Sequence, residues 1–243
     1  MTQPLCPNAF FGVMLHGIPA KFFVTTSHAA DTVHLLPEES EAQEWFVKHI
    51  RPGDVVWDIG ANVGQWAVYC ARALSQGGRL YCFEPGPQVS RMLRRTLAVN
   101  HLEHAYVLPY ALSDDDGEAQ LFLGVGDSTL SSLGRRTDGF PVQDTGISIQ
   151  TMSAASVVAQ GLSSAPHLIK LDAEGSEWSI LKGFSEAIWA ACHTLLVEVH
   201  PLLLKTMGGS MEEIRQLLKE KGFFIEQAIP RSTIQLWLCR KQM

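Results

Sequence analysis

Apolar positions along this chain follow two spacings. Short continuous runs closed by turn residues read as buried strands, and longer stretches with apolar residues three and four apart read as amphipathic helices. The first strand is expected at 21–25, around Phe22, Phe23 and Val24, after a loop-like opening. Beyond Pro37, the residues Ala42, Trp45, Phe46 and His49 share one helical face. Residues 54–58, preceded by the turn signal Pro52-Gly53, form the next strand, and Ala67, Cys70, Ala71 and Leu74 mark a helix that Gly77-Gly78 stops. A strand at 79–83 leads to a helix with Val89, Met92, Leu93 and Thr96 on one face and Arg91, Arg94 and Arg95 opposite. After a strand at 105–108 the rhythm changes, with short extra strands at 119–123 and 147–151 around a polar loop.

The main pattern resumes with a strand at 168–172, a helix near 176–183 and a strand at 194–199. Ser210 and Glu213 form a capping box for a last helix with Ile214, Leu217 and Leu218 on its apolar face and Gly222 at its end. Two closing strands, 223–228 and 233–239, are expected to join through Pro230. Strands separated by helices need crossover connections, so the fold class is α/β: a mostly parallel sheet with helices on both faces and an antiparallel closing hairpin.

Composition narrows the class of function. A chain of 243 residues suits one enlarged domain, and 46% hydrophobic with 18% charged residues excludes extensive disorder. The balance of 19 basic and 25 acidic residues gives a net charge of −6, which makes a phosphate backbone a poor partner; no nucleic acid is expected, and small molecules come first. Cys6, Cys70, Cys82, Cys192 and Cys239 are odd in number and without C-x-x-C spacing, as free thiols in a reducing compartment would be. With no signal-peptide pattern and no apolar run of membrane-spanning length, the expectation is a cytoplasmic protein without membrane insertion.

In open sheets of this class ligands bind beyond the carboxyl ends of the strands. The first such end reads Asp58-Ile59-Gly60-Ala61-Asn62-Val63-Gly64, where Gly60 and Gly64 permit a sharp turn and close approach of a ligand to the backbone. The spacing is not G-x-G-x-x-G, which argues against a nicotinamide-dependent oxidoreductase and for a nucleoside without a pyrophosphate. Glu84 follows Gly60 by 24 residues, where an acid accepting hydrogen bonds from ribose hydroxyls is expected.

D-x-G-x-x-x-G after one strand and Glu84-Pro85 after the next resemble the S-adenosylmethionine-dependent methyltransferases of the Rossmann-like class. The likeness narrows at Ile169-Lys170-Leu171-Asp172-Ala173-Glu174-Gly175-Ser176-Glu177, followed by Leu181-Lys182-Gly183 and Glu198-Val199-His200. From about Asp54 to His200 the chain resembles the FkbM family of methyltransferases, with its I-K-x-D-x-E-G-x-E, L-x-G and E-x-H pattern. That resemblance implies a class I methyltransferase sheet and S-adenosyl-L-methionine as cofactor. Gly60, Asn62 and Gly64 would line its methionine portion, Glu84 would hold its ribose, and Ala111, in the segment after the third sheet strand, would belong to the adenine wall. Asp58 has two readings, cofactor contact or acceptor for the turn's own N–H groups. O-methylation of a sugar, glycoside or other natural product is implied. N- or C-methylation, an NAD-dependent oxidoreductase and a non-catalytic nucleoside-binding module are the alternatives.

Transfer to oxygen requires a group that removes a proton from the attacking hydroxyl. His200 is the first candidate base, because an ordinary imidazole titrates near neutrality. Asp172, at a strand end, suits both the acceptor hydroxyl and the cofactor sulfonium, and Glu174 stands beside it. Glu177 opens a helix, where its charge favours stability. Alternation puts Lys170 on the face of Asp172, and Glu198 on that of His200, whose ring it would orient. Asp172, Glu174 and His200 are also ligand types for a divalent ion, though no spacing demands a metal. The loop 124–136 brings Ser128, Thr129, Ser131 and Ser132 for a hydroxylated acceptor. Trp57 and Trp66 read as packing residues. Residues 1–50 form an N-terminal extension of strand and helix, a candidate cover for the acceptor, ahead of the catalytic domain at 51–243.

Overall fold

The structure, a computed structural model, describes residues 10–23, 37–74, 77–125 and 130–242. Where a loop was expected, Phe10–Leu15 (β1) pairs antiparallel with Ile18–Phe23 (β2). His16 and Gly17, at φ 47° and 77°, form the two-residue turn that right-twisted strands favour. β2 therefore begins ahead of the expected 21–25, and Val24 and Thr25 lie outside the described residues. Pro37–Val47 (α1) buries the predicted Ala42, Trp45 and Phe46.

Val55–Ile59 (β3), Gln65–Ala73 (α2), Arg79–Phe83 (β4), Pro87–Val99 (α3) and Ala105–Leu108 (β5) carry the strand–helix alternation. α3 buries Val89, Met92, Leu93 and Thr96 and leaves Arg91, Arg94 and Arg95 exposed. The inserted stretch builds a sheet of its own from Ala111–Ser113 (β6), Gly117–Leu121 (β7) and Ile147–Ser153 (β8), in the order β6-β8-β7. Ala154–Ala159 (α4) follows, its N-terminus capped by the Ser153 hydroxyl, which accepts from Ser156 N–H. Leu168–Asp172 (β9), Glu177–Lys182 (α5), Glu186–Ala191 (α6), Thr194–Val199 (β10) and Pro201–Thr206 (α7) lead to Met211–Glu220 (α8). The Ser210 hydroxyl caps α8 by accepting from Glu213 N–H at 3.2 Å.

Phe223–Arg231 (β11) continues through Pro230 rather than ending there; the chain turns at Ser232-Thr233, and Ile234–Lys241 (β12) returns. Proline is tolerated because β11 is an edge strand. The main sheet has seven strands in the order β11-β12-β10-β9-β3-β4-β5. β3, β4, β5, β9 and β10 are parallel, and β12 runs antiparallel to both of its neighbours.

Alternation sends Val56 and Leu80 to a core under α2 and α3, and Trp57 and Leu171 to one under α5 and α8. The β1–β2 hairpin and α1 join the first of these cores through Leu15, Phe22, Trp45 and Phe46. From β3 the chain moves outward to β4 and β5, then returns to build β9 and β10 on the other side. The strand order thus reverses between β3 and β9, and the crevice of such a sheet opens at that point.

Candidate active site

The crevice is closed at its floor by backbone. Gly60 follows β3 at φ 75°, and a Cβ there would stand 1.8 Å from the Asp172 carbonyl oxygen at the end of β9. Glycine is required at 60 because two strand ends touch; at 64 it is the φ of 99° that demands glycine, and a Cβ there would also meet Leu93 Cδ1 of α3 at 2.6 Å. The sequence pattern located both glycines; the immediate reason is packing of backbone on backbone at Gly60 and backbone conformation at Gly64.

A cavity of about 700 Å³ lies over these strand ends, within the range of small-molecule sites. Gly60, Asn62, Glu84, Ala111, Asp172, Glu174 and His200, all singled out in the sequence, line it. Gly64 and Asp58 are not part of its wall. Asp58 is fully buried, accepts no hydrogen bond from the turn, and stands 3.5 Å from the Lys170 ammonium. Neither expected role of Asp58 matches this placement: the turn's Gly60 and Ala61 N–H groups donate to the Phe83 carbonyl instead. Burial pushes the Asp58 carboxyl up, and Lys170 opposes that shift.

At one end of the cavity, Glu84 accepts from Asn62 N–H at 3.0 Å and from Gly86 N–H at 2.8 Å. Burial raises its pKa to about 7 against those two hydrogen bonds. A carboxylate fixed in this way at the end of β4 offers acceptor lone pairs to a vicinal diol, and the side-chain-free Gly60 and small Ala61 leave room beside it for a nucleoside.

At the other end, the ends of β9 and β10 bring four acids around one imidazole. His200 Nδ1 lies 2.9 Å from Glu177 Oε1, which also accepts from Gly175 N–H at 3.0 Å. His200 Nε2 faces Glu174 at 3.5 Å and Asp172 and Glu198 at 3.9 Å each. Burial works against the charged ring, but Glu174 and Glu177 outweigh it and hold the His200 pKa well above the ordinary imidazole value. The imidazole is therefore displaced from the near-neutral titration expected of it. Its orienting partner is Glu177, fully buried at the start of α5, rather than the expected Glu198.

Lys170 reaches Asp172 at 3.1 Å, as alternation predicted, and also donates to the Gly60 carbonyl at 3.1 Å. Its burial disfavours the charge, while Asp172 and Asp58 raise its pKa above the usual ammonium value.

Sequence reasoning missed the guanidinium groups. Arg136, in the loop after β7, pairs with Glu174 and Asp138, and Arg231, at the end of β11, stands 3.5 Å from Glu198. Of the loop hydroxyls, Ser131 accepts from Gly124 N–H and Ser132 donates to the Gly134 carbonyl, whereas Ser128 and Thr129 lie outside the described residues. Trp57 is fully buried in the core, and Trp66 combines packing against Phe46 with a place in the cavity wall. None of the described residues before 51 lines the cavity. The described cysteines, Cys70, Cys82, Cys192 and Cys239, are free. Among the described residues no helix is long and apolar enough to cross a membrane.

Residues 58–225 match the family described as the Methyltransferase FkbM domain. The chain is 29% identical over 231 residues to the 31-O-demethyl-FK506 methyltransferase FkbM of Streptomyces tacrolimicus, covering 83% of this chain and 86% of that protein. It is 25% identical over 209 residues to the hexuronic acid methyltransferase AglP of Haloferax volcanii, covering 84% and 77%. Among solved structures, the precorrin-6y C5,15-methyltransferase of Geobacter metallireducens superposes with a TM-score of 0.50 at 11% identity, covering 84% of this chain and 89% of that one. The T. thermophilus 16S rRNA methyltransferase in complex with AdoMet and guanosine gives 0.52 at 14% identity, covering 99% and 52%. At these identities the structural likeness is one of fold.

Proposed function

Because the chain belongs to the FkbM family of methyltransferases, we propose that it moves a methyl group from S-adenosyl-L-methionine to a hydroxyl oxygen of a small hydroxylated molecule, a sugar, glycoside or other natural product. The observation that carries this reading is one cavity with a diol acceptor, Glu84, at one end and a cluster of proton-handling groups, Asp172, Glu174 and His200, at the other. When bound, the cofactor supplies an electrophilic methyl carbon on a sulfonium.

The protein's own part is binding and alignment. Glu84 receives the ribose hydroxyls. Gly60 and Asn62 lie along the methionine portion, Ala111 contributes to the wall beside the base, and Asp172 faces the sulfonium end. Asp58, buried behind the floor, acts through Lys170, which ties the β3 turn to Asp172. Gly64 acts by letting α3 close behind that turn.

Within the cluster, Asp172 and Glu174 orient the acceptor hydroxyl and take up its proton as the C–O bond forms and the methyl carbon leaves sulfur, with His200 held in its charged form beside them. Arg136 and the loop around it border the acceptor side, where Leu130, Leu133 and Phe140 add apolar surface to the polar wall. Such a mixed wall suits a hydroxylated molecule with an apolar face. Two relatives point to the same classes, being named for a hexuronic acid and for 31-O-demethyl-FK506.

Calorimetric titration with S-adenosyl-L-methionine tests the cofactor, with NAD as control. Saturable binding is expected, weakened about tenfold or more in Glu84→Ala through loss of charge-assisted hydrogen bonds. Incubation with glycosides and polyketides, followed by mass spectrometry of the products, then tests the acceptor. Binding of NAD instead, or of neither ligand, overturns the proposal.

A further inference from the structure

We infer that Asp172, Glu174 and His200 hold a divalent cation. One ligand atom from each can be chosen so that all lie within 4.8 Å of one another, on the wall of the cavity. Ligands about 2.1 Å from a shared six-coordinate ion stand about 3 Å apart when adjacent and about 4.2 Å apart when opposite. The three side chains need only a small contraction to reach those separations.

The second observation is the state of His200. Its side chain is only 6% exposed, yet Nε2 meets its nearest carboxylate oxygens at 3.5 and 3.9 Å, beyond the usual length of an N–H···O bond. A ring nitrogen on the cavity wall that faces three carboxylates at 3.5 to 3.9 Å is placed to share a central ion with them. The opposite ring nitrogen is committed outside the cluster. Glu177, fully buried and fixed by Gly175 N–H, stands 2.9 Å from Nδ1 and leaves Nε2 directed at the cavity, where an ion that displaces its proton would find a ligand. Metal-bound histidines are held by this carboxylate–histidine arrangement.

Charge points the same way. Asp172, Glu174, Glu177 and Glu198 surround the ring; three cations face them, Lys170, Arg136 and Arg231, of which Lys170 and Arg136 are shared with two further acids, Asp58 and Asp138, so that six carboxylates meet three cations and the ring. One imidazole nitrogen with carboxylate oxygens suits manganese or magnesium, with water or an acceptor hydroxyl completing the shell. Such an ion acidifies a hydroxyl that binds to it, whose proton then leaves to solvent water in the cavity, and Asp172, Glu174 and His200 serve as ligands rather than as bases. That use of the ion rests on the methyltransferase reading; its binding does not.

The test is titration of the chelator-treated full chain with Mn²⁺, without cofactor, followed by loss of the free-ion electron paramagnetic resonance signal. Saturation at one ion per chain is expected, with competition by Mg²⁺ and at least tenfold weaker binding in Asp172→Asn and Glu174→Gln. Glu118→Gln, in the small sheet and exposed, should leave binding unchanged. If a variant fails to fold, electron spin echo modulation of the bound ion in the unaltered chain decides, since an imidazole nitrogen coupling is required.

No saturable binding, binding unaffected in both folded variants, or absence of that coupling overturns the inference. Titration with S-adenosyl-L-methionine separates the two proposals. A chain that binds Mn²⁺ but not the cofactor keeps the metal site and loses the methyltransferase reading, and the reverse result does the opposite.

Discussion

Glu84 shows how one residue at a strand end couples ligand chemistry to stability. Its carboxyl is buried, so its pKa rises from 4.5 to about 7 in spite of two backbone donors. Between those values the folded protein retains a proton that the unfolded chain has released. The contribution of Glu84 to stability is therefore fully present below pH 4.5 and is lost as pH rises through about 7. Each tenfold change in proton affinity corresponds to about 1.4 kcal/mol, which limits the whole effect to roughly 3 kcal/mol. Glu84→Gln removes this titration. The difference in unfolding free energy between the unaltered chain and the variant, from urea denaturation at a series of pH values, is thus expected to move against the unaltered chain across this window. Asp58 and Glu198, whose pKa values are also raised, are common to both proteins and cancel in that difference. A difference that stays constant with pH would show that Glu84 is already ionised in the fold.

At the scale of elements, the loop between β7 and β8 is held to the catalytic sheet by Arg136, whose side chain is 3% exposed and paired with Asp138 and Glu174. Arg136→Ala leaves two acids without their cation, and removing one partner of a buried pair costs about 3–5 kcal/mol. The expected result is a lowered denaturation midpoint together with faster proteolytic cutting within 124–146, both partly restored in Arg136→Ala/Asp138→Ala. Equal cutting rates would mean that the loop is anchored elsewhere. This pairing was not legible in the sequence, because a long-range ion pair leaves no periodic trace. The same holds for Arg231, brought to the site by the closing hairpin. The strands and helices that build the floor of the crevice were legible, since β3, β4 and β9 are continuous apolar runs and α2, α3 and α8 carry one-sided faces. The β1–β2 hairpin was missed because its turn places a histidine at positive φ, which ordinary turn signals do not include. β6, α4, α6 and α7 are too short for periodicity to register. Pro230 misled in the other direction, as a proline on an edge strand interrupts nothing. Within the site, the strand-end residues Glu84, Asp172, Glu174 and His200 could be read from position alone. The exchange of Glu177 for Glu198 as partner of Nδ1 depends on how α5 packs against β10, which no spacing in the chain reveals.

Across the whole molecule, the described part of the first fifty residues is structural support for the sheet that carries the site. Leu15, Phe22, Phe23, Ala42, Trp45 and Phe46 are buried in the same cluster as Trp66, Val68 and Leu93, and the backbone of β2 is tied to α3 by Phe23 N–H donating to Thr96 and Lys21 N–H donating to Asn100. Burial of a large apolar side chain contributes about 1.5–3 kcal/mol, so the five large ones sum to roughly 10 kcal/mol, an upper figure because unfolded chains are partly compact. A whole domain is stable by only about 5–15 kcal/mol. A chain starting at residue 51, the first of the proposed catalytic domain, would expose the outer surface of α2 and α3, and with it the helix that closes behind Gly64. It is expected to show no cooperative thermal transition by circular dichroism and to bind a hydrophobic dye. A chain starting at residue 24, which keeps α1, should unfold cooperatively at a lower temperature than the full chain. A cooperative transition in the shorter chain at the temperature of the full one would instead make residues 1–50 an appendage, and their contribution would then have to be sought in the acceptor rather than in the fold.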